Sequence, residues 1–179
     1  SEIIITENGD AVLYKVSDNS KFMTSNIFAA RIMEYAPQLY SYFVDIGDSR
    51  RALLNAPEGA YRIGDFCIVQ IVTAARDQKG ARVTAQIRLT GIFTVLLVSE
   101  KDGSIHISSK IKESDLRERL TMIGESLCPE CALILRTQAA SASPAEIAKD
   151  YANLDTIWRN ILHRYEERVS ACLLYTSPS

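Results

Sequence analysis

Histidine is scarce in this chain: there are two in 179 residues, and neither His106 nor His163 stands beside a serine or cysteine in a known hydrolase pattern, so a catalytic triad has little to be built from. The four cysteines (Cys67, Cys128, Cys131 and Cys172) do not make a disulfide framework in a chain of this size, and a reducing cytoplasm is the expected setting. Apolar runs such as VLLV stop far short of the roughly 20 residues that a membrane-spanning helix needs. The opening SEIIITENGD has neither a basic nor an apolar leader region, so no secretory signal is expected; it lacks an initiator Met, so the natural start is expected upstream. There is no internal repeat and no low-complexity tract. A net charge of −2 gives no global pull toward nucleic acid, so any such role needs a locally basic face.

What remains is ordinary globular material, 47% hydrophobic and 23% charged, enough for one or two small domains. Residues 2 to 15 read as two short strands, EIII and AVLYKV, around Asn8-Gly9-Asp10. The polar NSKFMTS connects them to an all-β stretch. There, NIFAARIME, LYSYFVDIG, RRALLN, DFCIVQIVTAA and GARVTAQIRL alternate in polarity and are separated by turn signals at Ala36-Pro37, Gly47-Asp48, Pro57-Glu58-Gly59 and Asp77 to Gly80. Five strands in about 65 residues suit a small barrel such as an OB-fold. Beyond residue 90, GIFTVLLVS and SIHISS flank Lys101-Asp102-Gly103 and predict a hairpin. Ser114 is placed to cap a helix with Leu116, Leu120, Ile123 and Leu127 on one face, and the strand CALILRTQ follows. Ser143-Pro144-Ala145-Glu146 is a capping box with proline at the first helical position. Behind it Ile147, Tyr151, Leu154, Trp158, Ile161 and Tyr165 form one apolar stripe, which predicts core rather than a ligand site.

The β-rich middle, residues 24 to 90, holds eight Lys or Arg against six acids, with Phe28, Tyr40, Tyr42, Phe43 and Phe66 among them. Such a face can stack bases and neutralise phosphates, but composition alone does not separate stacking platforms from core. The acid pairs Asp45/Asp48 and Glu113/Asp115 are read as turn and helix-start residues. Cys128-Pro129-Glu130-Cys131 imitates half a zinc site. A structural zinc needs four ligands, and neither the other cysteines nor the histidines stand at ligand spacing, so only a second chain could complete it. A thioredoxin-like motif opens a helix after a strand, whereas this pair follows a helix and enters a strand.

The series NIFAARI, YFVDIG, GDFCIVQIV, KGARVTAQIRLTGIFTVLLV and LILRT, followed by a capped helix with DYANLDTIWRNIL, resembles the amino-terminal region of the ribonuclease E/G family from about residue 3 to about residue 165. KGARVT before Gly91-x-x-x-Val95, then ILRT before the capped helix, is its most specific part. The resemblance implies an α+β chain in which an S1-type OB-fold barrel is inserted after the first strands of an RNase H-like domain and is followed by a small α/β 5′-sensor domain. Its boundaries would be 1–24 for the opening strands, 25–89 for S1 and 90–170 for the sensor. Residues 171–179, matching neither stripe nor family, read as a non-native tail.

By the same resemblance, Arg136 and Thr137 match the pair that holds an RNA 5′-phosphate, with Gly91 and Val95 from the Gly-x-x-x-Val strand helping to form the pocket. In the S1 domain, Phe43 matches an RNA-contacting aromatic and Lys79 an RNA-contacting lysine. There are departures: the second S1 aromatic is Leu53, the family's Ser-Arg-Arg reads Ser108-Ser109-Lys110, which leaves Lys110 as the cation there, and a glycine after Arg-Thr is Ser141. The implied role is to bind single-stranded RNA and sense a 5′-monophosphate, as part of a cytoplasmic endoribonuclease for RNA processing and decay. The catalytic carboxylates are expected outside this chain. No cofactor or metal is expected within it; magnesium, and zinc as a further candidate, belong to the full-length enzyme, as does homo-oligomer formation. The alternative is a stand-alone, non-catalytic S1-domain RNA-binding protein.

Overall fold

The structure, a computed structural model, describes residues 11–15 and 24–176. These fall into two compact units, one ending at Ala85 and resuming at Ile161, the other spanning Gln86–Asn160. The chain is α+β, and the expected strand EIII lies outside the described residues.

The first unit is a closed five-stranded barrel, compatible with an OB-fold, built from β2 (Ile27–Ala36), β3 (Ser41–Asp45), β4 (Ala52–Asn55), β5 (Phe66–Thr73) and β6 (Arg82–Thr84). Closure depends on the length of β2. Its first half pairs with β5, from Ile27↔Gln70 to Arg31↔Phe66, and its second half with β3, from Arg31↔Asp45 to Ala36↔Ser41. A bulge between Ile32 and Glu34 turns the strand from one partner to the other, as bulges do in tightly curved sheets. The parallel β4–β6 pair completes the ring, and β1 (Val12–Tyr14) lies antiparallel against β2.

The barrel core is small side chains fitted around two large rings: Ala30, Ala52 and Ala81 beside Phe28 and Tyr42. Tyr42 is 2% exposed, and its hydroxyl accepts a hydrogen bond from Gly59 N at 2.8 Å. The aromatics that composition could not sort therefore divide. Phe28 and Tyr42 are core, Phe66 is half-buried under the Arg31 guanidinium at 5.8 Å, Phe43 is half-exposed and Tyr40 is exposed.

Asp45 and Asp48 are turn residues, accepting from Gly47 N and Ser49 N at 2.7 Å each. Gly80, on the approach to β6, passes so close to β4 that a Cβ there would collide with the Arg51 carbonyl oxygen and lie 2.9 Å from its carbon. Only glycine admits that approach.

The second unit holds a four-stranded sheet in the order β7 (Arg88–Thr90), β8 (Thr94–Leu97), β10 (Ala132–Leu135), β9 (Ile105–Ile107). Two expectations fail here. GARVTAQIRL is not one strand but β6 and β7, which belong to different sheets, with Ala85-Gln86-Ile87 between them. Nor do β8 and β9 form a hairpin. The turn at Lys101–Gly103 exists, with Asp102 Oδ1 accepting from Ser104 N at 2.9 Å, but β10 enters between the two strands, antiparallel to β8 and parallel to β9. The reason is burial: Ala132, Leu133 and Leu135 are each 0% exposed, and a strand that apolar belongs in the middle of a sheet.

Helix α1 (Ser114–Ser126) begins one residue earlier than expected; its cap is Glu113, and Ser114 is already helical. Helix α2 (Pro144–Thr176) starts as the sequence predicts: Ser143 N donates to Glu146 Oε2 at 2.7 Å and Glu146 N to Ser143 Oγ at 3.2 Å. Its stripe alternates buried Ile147, Leu154 and Ile161 with half-buried Tyr151, Trp158 and Tyr165. The helix runs to Thr176, into the stretch the sequence marks off as a tail.

Two predictions follow from this packing. The backbone amide of Ser143, donating to the carboxylate, lowers the Glu146 pKa, so the stabilisation it provides is present above the ordinary glutamate range and lost as pH falls through the depressed folded value. Ser143→Ala should cost about 1 kcal/mol at neutral pH in denaturant melts, and Glu146→Gln should flatten the acid side of the stability–pH curve. Gly80→Ala should force β4 and β6 apart and lower the stability of the barrel by roughly 1–3 kcal/mol, read as a lower denaturant midpoint at unchanged slope.

Candidate nucleic-acid interface

Among the described residues, each unit carries a concave, cation-lined surface. On the barrel this is a groove of about 880 Å³ whose floor includes Leu39, Phe43 and Leu53. Phe43 and Leu53 are direct cross-strand neighbours on β3 and β4, so the two positions that the sequence singles out as platforms are brought together. Only one carries an aromatic ring; Leu53 supplies apolar surface without a π-face.

Around that floor stand Arg50, Arg51, Arg76, Lys79 and Arg82, with Glu34 as the acid. Arg51 is committed to Glu34 at 3.2 Å, and Arg50 donates to the Asp77 carbonyl at 2.6 Å and lies 4.0 Å from Asp48. Among the described residues, Arg76, Lys79 and Arg82 form no ion pair. Arg76 and Lys79 sit on one tight turn, fixed by reciprocal backbone hydrogen bonds of 3.0 and 2.8 Å, with Asp77 left-handed at φ 50° between them. Two exposed cations are thereby held on a rigid backbone at the groove rim, beside a half-exposed ring. This arrangement suits a polyanion with flat apolar groups.

In the second unit a concavity of about 660 Å³ is lined by Ser108, Ser109, Lys110, Ile134, Arg136, Thr137 and Gln138. Its position is set by the ends of two parallel strands. Arg136 leaves β10 with its backbone N–H on the Phe93 carbonyl at 2.8 Å, and Ser108 leaves β9 donating to the Leu135 carbonyl at 2.9 Å. The Ser108 and Thr137 hydroxyls lie 3.1 Å apart. Behind the wall, Arg117 Nη1 on α1 donates to the carbonyls of Ser108 and Ile111 at 3.1 and 2.9 Å, and Arg119 Nη2 to that of Ala142 at 3.0 Å. Arg136 itself is half-buried. Its Nη1 donates to the carbonyls of Gly91 and Ile92 at 2.5 and 3.3 Å, while Nη2 and Nε form no hydrogen bond among the described residues. The free edge of the guanidinium is the geometry that receives two oxygens of one phosphate or carboxylate.

Of the residues the sequence singles out, Arg136, Thr137 and Lys110 share this concavity. Gly91 is not on its wall; it reaches the pocket through the carbonyl that holds Arg136. Val95 is 7% exposed in β8, opposite Ile134 and Thr90. Sequence reasoning passed over Ser109, except as a missing arginine, and Gln138, next to Thr137. It also passed over Arg50, Arg51, Arg76 and Arg82, whose only signal was local charge density. Asp150, whose carboxylate takes hydrogen bonds from the backbone at 92–94, stood at the head of the stretch DYANLDTIWRNIL but had no role assigned from sequence.

The cysteines point apart. Cys131 is buried, its thiol on the Val98 carbonyl at 3.6 Å, whereas Cys128 is exposed and left-handed at φ 47°. Burial pushes the Cys131 thiol up, and pushes Cys67 up to about 12, which removes both from thiolate chemistry at neutral pH. Among the described residues no group of three His, Cys, Asp or Glu converges as a metal site, and no helix is long and apolar enough to cross a membrane.

The Ribonuclease E/G family model matches residues 88–179. Ribonuclease G of Haemophilus influenzae is 27% identical over 180 residues, covering 88% of this chain and 36% of that protein. Ribonuclease G of Escherichia coli is 28% identical over 178 residues, covering 86% and 36%, and Ribonuclease E of Buchnera aphidicola is 29% identical over 174 residues, covering 84% and 19%. The chain thus spans about a third of the length of the ribonucleases G it matches. A family model that covers half of the chain, and relatives that align along most of it, establish that this chain belongs to the ribonuclease E/G family.

Proposed function

We propose that the chain is the RNA-binding amino-terminal part of a ribonuclease E/G-like endoribonuclease, holding single-stranded RNA on the barrel and sensing a 5′-monophosphate in the Arg136 pocket. Residues 25–89 act as the S1 domain, 90–170 as the 5′ sensor, and 1–24 as the opening strands of an RNase H-like domain. The observation that carries this reading is the Arg136 guanidinium, anchored on one side by backbone carbonyls and open on the other beside Thr137 and Lys110. A terminal phosphate supplies two oxygens to that open edge and a third to the Thr137 hydroxyl, with Lys110 as the second cation. The sugar–phosphate chain of the same class of ligand suits Arg76, Lys79 and Arg82 in the barrel groove, with one base stacked on Phe43. Ser109 places a hydroxyl where the family's pattern has an arginine, so the pocket reads the phosphate with two side-chain cations and several neutral donors.

Internal cleavage of RNA, in ribosomal RNA processing and in decay, is proposed as an activity of the whole protein in the cytoplasm, with homo-oligomer formation as part of the same reading. Magnesium, with zinc as a further candidate, is proposed for the whole protein; among the described residues no group of three His, Cys, Asp or Glu converges.

Fluorescence anisotropy with short single-stranded oligonucleotides tests the reading. A 5′-monophosphorylated strand should bind on the order of tenfold tighter than its 5′-hydroxyl twin, in keeping with charge-assisted hydrogen bonds, and Arg136→Ala should erase the difference; equal wild-type affinities would defeat the sensor assignment. Lys79→Ala should weaken both strands alike and reduce the slope of log K against log salt by about one. An unchanged slope would remove Lys79 from the interface.

A further inference from the structure

The turn from Gly91 into the start of β8 at Thr94 lies between two charged side chains. On one side the Asp150 carboxylate, 8% exposed on α2, accepts from the backbone N–H groups of Ile92, Phe93 and Thr94 at 3.0, 3.0 and 2.9 Å, and from the Thr94 hydroxyl at 2.7 Å. Three successive N–H groups aimed at one point form a concave nest of the kind that binds anions; here the anion is internal. On the other side Arg136 takes the carbonyls. Its Nη1 donates to Gly91 O and Ile92 O, and its backbone N–H to Phe93 O.

These are the same three peptide groups. The unit joining Gly91 to Ile92 gives its N–H to Asp150 and its C=O to Arg136, as does the unit joining Ile92 to Phe93. The unit joining Phe93 to Thr94 gives its N–H to Asp150 and its C=O to the Arg136 backbone. In a trans peptide the two bonds point in opposite directions, so each unit spans the gap between carboxylate and arginine. A hydrogen bond at one end of a peptide group polarises the other end, strengthening the second bond by roughly 10–30%. Gly91 fits the same arrangement: a Cβ there would lie 2.7 Å from Asp150 Oδ1 and 2.8 Å from the carboxyl carbon, and closer still to Oδ2. Glycine is needed at this position because the carboxylate occupies the space.

We propose that Asp150 is a positioning residue of the phosphate pocket: through three consecutive peptide groups, two holding the guanidinium and the third the backbone N–H, it fixes Arg136 with its Nε and Nη2 edge open to an RNA 5′-phosphate. The phosphate half of this statement rests on the function proposed above; the positioning half does not. It follows that the amides of residues 92–94 are not phosphate donors, because Asp150 already occupies them. The loop contributes to recognition by what its carbonyls hold in place.

The test has a ligand-free and a ligand-bound arm, both on the full chain. In ¹⁵N NMR spectra, with the Arg136 side-chain signals identified by their loss in Arg136→Ala, the wild-type guanidinium should show hindered rotation about Cζ–Nη1. In Asp150→Asn that rotation should become fast, and the preference for a 5′-monophosphorylated over a 5′-hydroxyl oligonucleotide should fall about fivefold or more, as expected when a charge-assisted contact loses its preorganisation. Affinity for the 5′-hydroxyl strand should not change. A purely structural role for Asp150 would instead show as broadening throughout the sheet. A guanidinium that stays hindered in Asp150→Asn overturns the proposal, even if Arg136→Ala abolishes the phosphate preference and so upholds the pocket. Conversely, a wild-type chain with no phosphate preference, but with a guanidinium released by Asp150→Asn, upholds the positioning and overturns the assigned ligand. Should Asp150→Asn not fold, Thr94→Val, which removes one of the four donors, should speed the rotation partway; no change there overturns the proposal.

Discussion

Every backbone N–H and C=O taken out of water must find a partner, and this single requirement shapes both units. In the barrel it is met by closure: β2 is long enough to pair with β5 along one half and with β3 along the other, so the ring has no open edge on that side. In the second unit it is met by insertion, with the most apolar strand, β10, taken into the middle of the sheet where both of its edges are bonded. Where the chain leaves regular structure, at residues 91–93, side chains take over from strands. An acid accepts from the amides and an arginine donates to the carbonyls. The candidate phosphate site lies beside this irregular stretch, where a cation has been drawn in to complete the backbone's bonding.

Local chemistry was legible in the sequence; partnership was not. The capping box at Ser143–Glu146 could be read because all of its atoms lie within four residues, and the barrel strands because alternation records which face is buried. The hairpin expected around Lys101–Gly103 failed although the turn itself is real, since a turn signal says that the chain reverses and not whether a later strand will enter the gap. GARVTAQIRL failed similarly: its alternation runs unbroken through Ala85–Ile87, while its two halves serve different sheets. Among the site residues, Arg136, Thr137 and Lys110 could be picked out through the family pattern and do share a concavity. Asp150 could not, because an aspartate at a polar-looking position of an amphipathic helix reads as solvent-facing. Only the fold reveals the three amides opposite it.

Charge is distributed by the same logic of neighbourhood. The chain carries a net −2, yet the groove gathers five cations about one acid, and the shortest ion pairs in the groove occupy Arg51 and Glu34 rather than the turn at its rim. A basic interface can thus stand on a slightly acidic protein, since at physiological ionic strength a ligand feels charges within about 8 Å and little beyond. The thiols show the opposite use of environment. Cys67 and Cys131 are withdrawn from reactivity by burial, and the Cys-x-x-Cys spacing reflects a tight turn between α1 and β10.

The close approach of Gly80 to the Arg51 carbonyl has a consequence for how this surface can diverge between lineages. The turn from Arg76 to Gly80 ends at a position closed to every side chain, and its reciprocal backbone bonds fix its length. Mutation can therefore alter the charge on its tip one residue at a time while leaving its shape intact. Related chains should differ at this rim in how many cations they present, and hardly at all in where those cations stand, so that selection can tune grip strength without rebuilding the groove.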